Sequence, residues 1–318
     1  MESLIQRLLV PVKAHAVPPL CLRVLAMPVF LLIAGLQAVS ADDALIERGS
    51  YIFTAAGCAS CHTKDQALAG GRPLDTPFGT FYPPNITPDR EQGIGDWSEA
   101  DLMRALEQGV SPQGAHYYPA FPYTSYTRMT HADKQALYAY LMAQQPVARA
   151  SRPHDLPWFL SSRKLLGLWK AGRFAPGRYQ YDPERSPDWN RGAYLAQALG
   201  HCGECHTPRG LLGGARGNRY LAGTRSGPEG REVPNITRDM KTGIGQWSPE
   251  EQRAFLASGR LPDGAYTGPL MAEVLGSSSM SLTAADREAL AIYLQSLPPV
   301  HHDIRYRFDP FEDQQLRE

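Results

Sequence analysis

Cys58-Ala59-Ser60-Cys61-His62 and Cys202-Gly203-Glu204-Cys205-His206 are the stretches on which the reading of this chain turns. Two thiols three positions apart can each add to a vinyl group on one porphyrin edge. The histidine beside the second thiol then lies under the ring as an iron ligand. Other uses of paired cysteines fit less well. Zinc held by two such pairs expects a short gap between them, and these lie 144 residues apart (58 to 202). A thioredoxin-like pair expects a βαβ setting that neither copy has, and structural disulfides give no reason for a histidine at the same place twice. Two covalently bound haem c groups are therefore expected, one on Cys58 and Cys61, the other on Cys202 and Cys205, with His62 and His206 as iron ligands.

The repeat extends well beyond these motifs. Pro84-Asn85-Ile86-Thr87 returns as Pro234-Asn235-Ile236-Thr237, and Gly93-Ile94-Gly95 with Trp97-Ser98 as Gly243-Ile244-Gly245 with Trp247-Ser248. Arg48-Gly49-Ser50-Tyr51 is matched by Arg191-Gly192-Ala193-Tyr194, and Gly114-Ala115 by Gly264-Ala265. The chain reads as a tandem duplication with one haem per copy. The expected fold is all-α: two tandem cytochrome c domains, each a few helices wrapped around one haem, with no convincing strand alternation. A first helix is predicted over Ala44 to Ala56 and again over Trp189 to Leu199, its Gly and Tyr allowing another backbone close while a ring packs alongside. Ser98 and Ser248 read as N-caps of a middle helix. Thr130 and Thr283 cap a last helix, with Asp133 and Asp286 suited to its positive start.

Length and composition set the rest of the frame. The 318 residues, 43% hydrophobic and of zero formal net charge, suggest neither nucleic-acid binding nor disorder. Arg7, Lys13 and Arg23 precede an apolar run from Val24 to Val39, and Val39-Ser40-Ala41 offers small residues for cleavage. Residues 1–41 read as a secretory signal peptide, with an uncleaved anchor as the alternative. Cleavage there removes three of 32 basic and one of 32 acidic residues, leaving 29 and 31, and it removes Cys21. Every remaining cysteine then belongs to a haem motif, which fits maturation outside the cytoplasm, in the periplasm. The expected domains are 42–147 and 188–300, joined by a connector at 148–187 and followed by a polar tail, 301–318, without an apolar run.

These motifs resemble the multi-haem cytochrome c subunits of membrane-bound alcohol, gluconate and related dehydrogenases. The resemblance rests on Phe78-Gly79-Thr80, Pro84 to Thr87, Gly93-Ile94-Gly95 with Trp97, Tyr118-Pro119-Ala120-Phe121-Pro122-Tyr123, and Pro269-Leu270-Met271-Ala272-Glu273-Val274. It covers nearly all of the chain after residue 41. Those subunits usually carry three haems, and this chain has motifs for two. The resemblance implies an electron-transfer role beside a dehydrogenase. It also places a distal methionine ligand at Met271, with Met280 as a competitor whose ordinary role is core filling. In the first copy, aligning Gly114 with Gly264 sets Phe121 opposite Met271, where related chains often have methionine. Phenylalanine cannot bind iron. Met129 is the nearest replacement, an apolar residue before the last helix being its plainer reading; His116, His131 or an open iron remain as alternatives.

Asn85 and Asn235 are expected to bond their own loops, and Trp97 and Trp247 to pack rather than relay electrons. The connector carries Pro157-Trp158-Phe159-Leu160, then Leu165 to Lys170, with Arg163, Lys164 and Arg173 nearby. It reads either as a strap over the seam between domains or as a docking surface for a dehydrogenase or a peripheral membrane contact. No nucleophile–base set, dinucleotide fingerprint or further metal cluster stands out. The expected function is transfer of electrons from a periplasmic or membrane-bound dehydrogenase subunit to a downstream acceptor of the respiratory chain, with no catalytic residues of its own. Two rivals stand beside it: a haem enzyme with one open iron (peroxidase or sulfur-compound oxidase type), and a free electron shuttle.

Overall fold

Ser40 starts the first helix among the described residues, its hydroxyl accepting from the Asp43 N–H at 3.0 Å, with Asp42 and Asp43 in the first turn where the helix dipole favours acids. This helix, α1 (Ala41–Ala55), leads through left-handed Gly57 into the short α2 (Cys58–His62). The computed structural model describes residues 40–210 and 213–304, which pack as one unit. Residues 1–39 of the expected leader (1–41) and residues 305–318 of the expected tail (301–318) lie outside the described residues.

After α2 comes a two-stranded antiparallel hairpin, β1 (Leu74–Thr76) and β2 (Gly79–Phe81), with Leu74 opposite Phe81. The sequence predicts no strand here, and three-residue strands are too short for an alternation to show. The hairpin is closed by polar bonds instead. Thr80 Oγ1 donates to Asp75 at 2.6 Å, and Thr80 bridges to Asp155 of the connector.

Helix α3 (Glu99–Gln108) begins at a reciprocal Ser98–Asp101 capping box and stops at left-handed Gly109. The short α4 (Tyr123–Tyr126) follows, then α5 (His131–Met142) capped by Thr130. Connector helix α6 (Arg163–Arg173) separates these from α7 (Pro187–Tyr194), which has proline in its first turn and runs on through a wider turn at Leu195–Leu199. The second copy continues with α8 (Cys202–His206), α9 (Pro249–Ser258) behind a Ser248–Glu251 capping box, α10 (Pro269–Ser277) and α11 (Ala284–Ser296), capped by Thr283. Among the described residues, no helix is long and apolar enough to cross a membrane.

Every fixed letter of the repeated Arg-Gly-x-Tyr sequence has a place in the packing. A Cβ added to Gly49 would collide with the Ala136 carbonyl of α5, and one on Gly192 with the Ala289 carbonyl of α11, so each first helix lies backbone to backbone on its own last helix. Arg48 donates to Asp133 from both Nε and Nη2, at 2.9 and 2.7 Å, and Arg191 does the same to Asp286 at 2.8 and 2.6 Å. The tyrosines cross over. Tyr51 of α1 donates to Asp286 at 2.5 Å and accepts from the Thr283 N–H. Tyr194 of α7 donates to Asp133 at 2.5 Å and accepts from the Thr130 N–H. Burial would raise the Asp286 carboxyl, but the bonds from Arg191 and Tyr51 outweigh it and hold it below its ordinary value. One apolar cluster runs through this crossover, from Ile52, Phe53, Leu137 and Leu141 to Leu195, Leu199, Leu290 and Leu294. The duplication therefore builds a pseudo-symmetric interface between its own halves.

Candidate functional site

Each Cys-x-x-Cys-His segment is a short helix entered from a left-handed residue, Gly57 at φ 62° in one copy and His201 at φ 38° in the other. Each helix carries its two thiols three positions apart, with the histidine next in sequence. Below it, the repeated Pro-Asn-Ile-Thr loop presents a carbonyl to the ring: His62 Nδ1 lies 2.8 Å from the Pro84 oxygen, and His206 Nδ1 2.8 Å from the Pro234 oxygen. A carbonyl only accepts, so Nδ1 carries the hydrogen and Nε2 holds the lone pair. Burial lowers both histidines against the opposing effect of that bond, which keeps the imidazoles neutral.

The loops are themselves braced. Asn85 Oδ1 accepts from Thr87 N–H and Oγ1 at 2.9 and 2.7 Å, while its Nδ2 donates to the Val147 carbonyl at 2.7 Å. Asn235 repeats this with Thr237 at 2.9 and 2.8 Å and with the Val300 carbonyl at 2.8 Å. The asparagines thus bond their own loops, as the sequence predicts, and also tie down the chain leaving each copy. Two glycines escape the sequence reading. Gly70 (φ 71°) and Gly223 (φ 78°) lie against the backbone of Pro84 and Pro234, where a Cβ has no room. Their N–H groups donate to the carbonyls of His62 and His206, at 2.8 and 2.7 Å. The signal was present as a repeated triplet, Leu68-Ala69-Gly70 and Leu221-Ala222-Gly223.

Burial pushes the Cys58 and Cys202 thiols up to about 12 and Cys205 up to about 11, so all three are uncharged near neutrality. Among the described residues no three His, Cys, Asp or Glu side chains are grouped so that they could hold a metal ion. Neutral thiols, a neutral imidazole with its free lone pair, and an apolar surround fit haem. Tyr123, fully buried two residues after Phe121, also has a hydroxyl without a protein partner.

The distal candidates are placed very differently. Met271, on the first turn of α10, is half-buried against the core, and Met280 is 38% exposed. Phe121 packs in an aromatic group with Tyr117 and Tyr126, ring centroids 5.6 and 5.8 Å away. Met129 is fully buried in the same cluster on which Cys58 packs. It stands one residue before the Thr130 cap, as buried Leu282 stands one before Thr283. His131 is exposed at the start of α5, and His116 lies under Gly167 of the connector helix. Trp97 and Trp247 serve packing, each carbonyl accepting from its last helix, from Tyr138 at 2.9 Å and Gln295 at 3.0 Å.

Two cross-braces between the copies are not legible in the sequence, because each joins residues about 80 to 200 positions apart. Arg72 donates to the Ser60 carbonyl inside the first motif at 2.5 Å and pairs with Glu273, two residues past Met271. Glu204, inside the second motif, accepts from Thr124 at 2.5 Å and Ser125 at 2.8 Å of α4 and pairs with Arg209 at 2.5 Å. Burial would raise Glu204, but Arg209 and the two hydroxyls outweigh it and keep it ionised.

Comparison with known proteins gives the same picture of kinship. Residues 46–145 match the Cytochrome c family. The chain is 44% identical over 261 residues to a diheme cytochrome c-type protein of Cereibacter sphaeroides, covering 80% of this chain and 86% of that one. It is 40% identical over 287 residues to the fructose dehydrogenase cytochrome subunit of Gluconobacter japonicus, covering 86% and 58%. With the gluconate 2-dehydrogenase cytochrome c subunit of Pantoea cypripedii the identity is 41% over 275 residues, covering 83% of this chain and 62% of that protein. The chain thus spans less than two thirds of the length of these two dehydrogenase subunits.

Proposed function

Because the chain belongs to the cytochrome c family, we propose that it is a periplasmic di-haem cytochrome. In this reading it takes electrons from a partner dehydrogenase and passes them to an acceptor of the respiratory chain. The observation that carries the proposal is the duplicated proximal site, His62 on the Pro84 carbonyl and His206 on that of Pro234, each beside its own pair of thiols. The kinship to cytochrome subunits of fructose, gluconate and alcohol dehydrogenases supports the donor, and the length match to a diheme protein supports two haems. The two tandem cytochrome c domains are 42–147 and 188–300, with 1–41 as an export signal.

Bound in each crevice, haem supplies the one-electron iron couple. The rest is the work of the chain. Cys58 and Cys61 would hold one haem through thioethers, and Cys202 and Cys205 the other, each thiol adding S–H across a vinyl double bond. His62 and His206 would present Nε2 to iron, their rings held by the Pro84 and Pro234 carbonyls. Met271 would supply the thioether sulfur of the second site, and Met129 that of the first. The apolar cluster excludes water, and the cross-braces at Arg72 and Glu204 hold one crevice against the other. Such a chain is an electron-transfer subunit and carries no catalytic residues of its own.

The test is a count of haem per chain followed by a redox titration. Two haems, neither binding carbon monoxide when reduced, are expected. A ferrous protein that takes up one carbon monoxide has an open iron and moves the open-iron enzyme reading to the front.

A further inference from the structure

Resting on the electron-transfer reading above, we propose that the connector between the copies is the docking surface for an acidic redox protein, which it brings to the first haem domain. The inward side of this segment is fully engaged. Tyr118 donates to the Leu160 carbonyl at 2.7 Å, Arg163 to the His116 carbonyl at 2.8 Å, and Lys170 to the carbonyls of Gln108 and Gly109. Further on, the Gly177 N–H donates to Thr127 at 3.0 Å and the Tyr179 N–H to the Arg128 carbonyl at 2.9 Å. The connector therefore lies against residues 108 to 128, the segment that carries Phe121 and ends at Met129.

Its outward side has the opposite character. Trp158 is 86% exposed, Leu168 74%, Leu165 58% and Phe159 55%, all within eleven residues. Leu165 and Leu168 share one face of α6, so a helix whose polar Arg163 and Lys170 turn inward shows its leucines to solvent. Trp158 left almost wholly in water against Phe159, with two exposed leucines ten residues or fewer further on, is unfavourable unless something covers it. Residues 156–181 contain Arg163, Lys164, Lys170, Arg173 and Arg178 and no acidic residue. Lys164 is exposed next to Leu165 on α6, and Arg173 and Arg178 are exposed further along the connector, Arg178 pairing with Glu107 at 3.9 Å. An apolar centre with a basic rim complements a partner with an acidic rim around an apolar hollow, where rim charges set encounter rate and salt dependence. The location favours a redox protein over a lipid surface: whatever sits on this patch is held directly outside the distal segment of the first haem crevice.

The experiment is stopped-flow reduction of the ferric holoprotein by an acidic flavodoxin hydroquinone, chosen as a probe, against dithionite as a small reductant. Trp158→Ala/Leu168→Ala and Lys164→Glu/Arg173→Glu change only exposed side chains. Each is expected to lower the flavodoxin rate constant about tenfold at low salt and to leave the dithionite rate unchanged. The unaltered protein should lose its advantage as ionic strength rises. Flavodoxin rates equal in all three proteins overturn the proposal. So does binding to phosphatidylglycerol vesicles that the Trp158→Ala/Leu168→Ala variant loses, which assigns the patch to lipid. Failure of dithionite to reduce two haems would sink the electron-transfer reading itself, a separate result.

Discussion

In the second half of the molecule a methionine stands on the first turn of α10, facing the core. In the first half the matching position is Phe121, ringed by tyrosines, and the buried methionine is Met129, one residue before the Thr130 cap of α5. On the other side of each crevice no such difference exists: His62 and His206 meet the same carbonyl at the same distance. The contrast has a physical cause. The proximal side is built from backbone, a carbonyl held by a Pro-Asn-Ile-Thr loop, and any change there moves the histidine. The distal side needs only one sulfur at the right point, and a flexible methionine can reach it from more than one place on the chain.

The largest way to break the comparison is to remove one attachment site at a time. Cys58→Ala/Cys61→Ala and Cys202→Ala/Cys205→Ala should each leave one haem per chain, read by mass and by pyridine haemochrome absorbance. Each should also unsettle the half that loses its haem, because the group fills that half's core. Retention of two haems by either variant contradicts the assignment.

Next come the distal sulfurs. Met271→Leu is a volume-conserving change that should cost under about 1.5 kcal/mol of stability, yet it should lower the potential of the second iron and remove its ferric methionine absorption band. Met129→Leu should do the same to the first iron alone. If Met129→Leu leaves two methionine bands intact, Met129 is core filling, as its alignment with Leu282 would have it, and the two halves differ more deeply than one shifted ligand. Phe121→Met sharpens the point by offering the first half the sulfur at the position used in the second.

The interface offers a comparison in which the halves should agree. Tyr51→Phe and Tyr194→Phe each delete one bond to an aspartate and leave a helix-cap N–H with one partner fewer. The loss should be about 1–3 kcal/mol for each, equal within error in denaturant unfolding. A large inequality would mean that the crossover is not symmetric in energy, whatever its geometry.

Much of this was legible in the sequence, and unevenly so. The paired Cys-x-x-Cys-His motifs and the capped helices are short-range patterns, since a capping serine or a Cys-x-x-Cys-His segment acts on its own neighbours, and the duplication shows as repeated short motifs. The close approach at Gly49 and Gly192 was also readable from the repeated Arg-Gly-x-Tyr. What was not readable is where the tyrosines go. Tyr51 bonds Asp286, 235 residues away, and nothing local distinguishes that from packing on its own half. Glu204 and Arg72 were hidden for the same reason: their partners are brought together by the pseudo-symmetric docking alone. The hairpin was missed because three-residue strands carry no period.

The connector has no counterpart in the second half, and Lys170 gives a way to read it by pH. Its side chain is buried, and burial lowers the ammonium to about 8 from an ordinary 10.5. The unfolded chain therefore holds this proton more tightly than the folded one, and stability should rise with pH between about 8 and 10.5 as the native lysine sheds it. Below pH 8 both states are charged and the desolvation cost is present in full. Lys170→Met removes that titration and the two carbonyl bonds at the end of α3. Measured by unfolding midpoint, the unaltered protein should gain on Lys170→Met by on the order of 1 kcal/mol from pH 7 to pH 9.5. A difference that stays flat, or that shrinks as pH rises, would mean that the ammonium is solvated and that α6 does not seal onto α3.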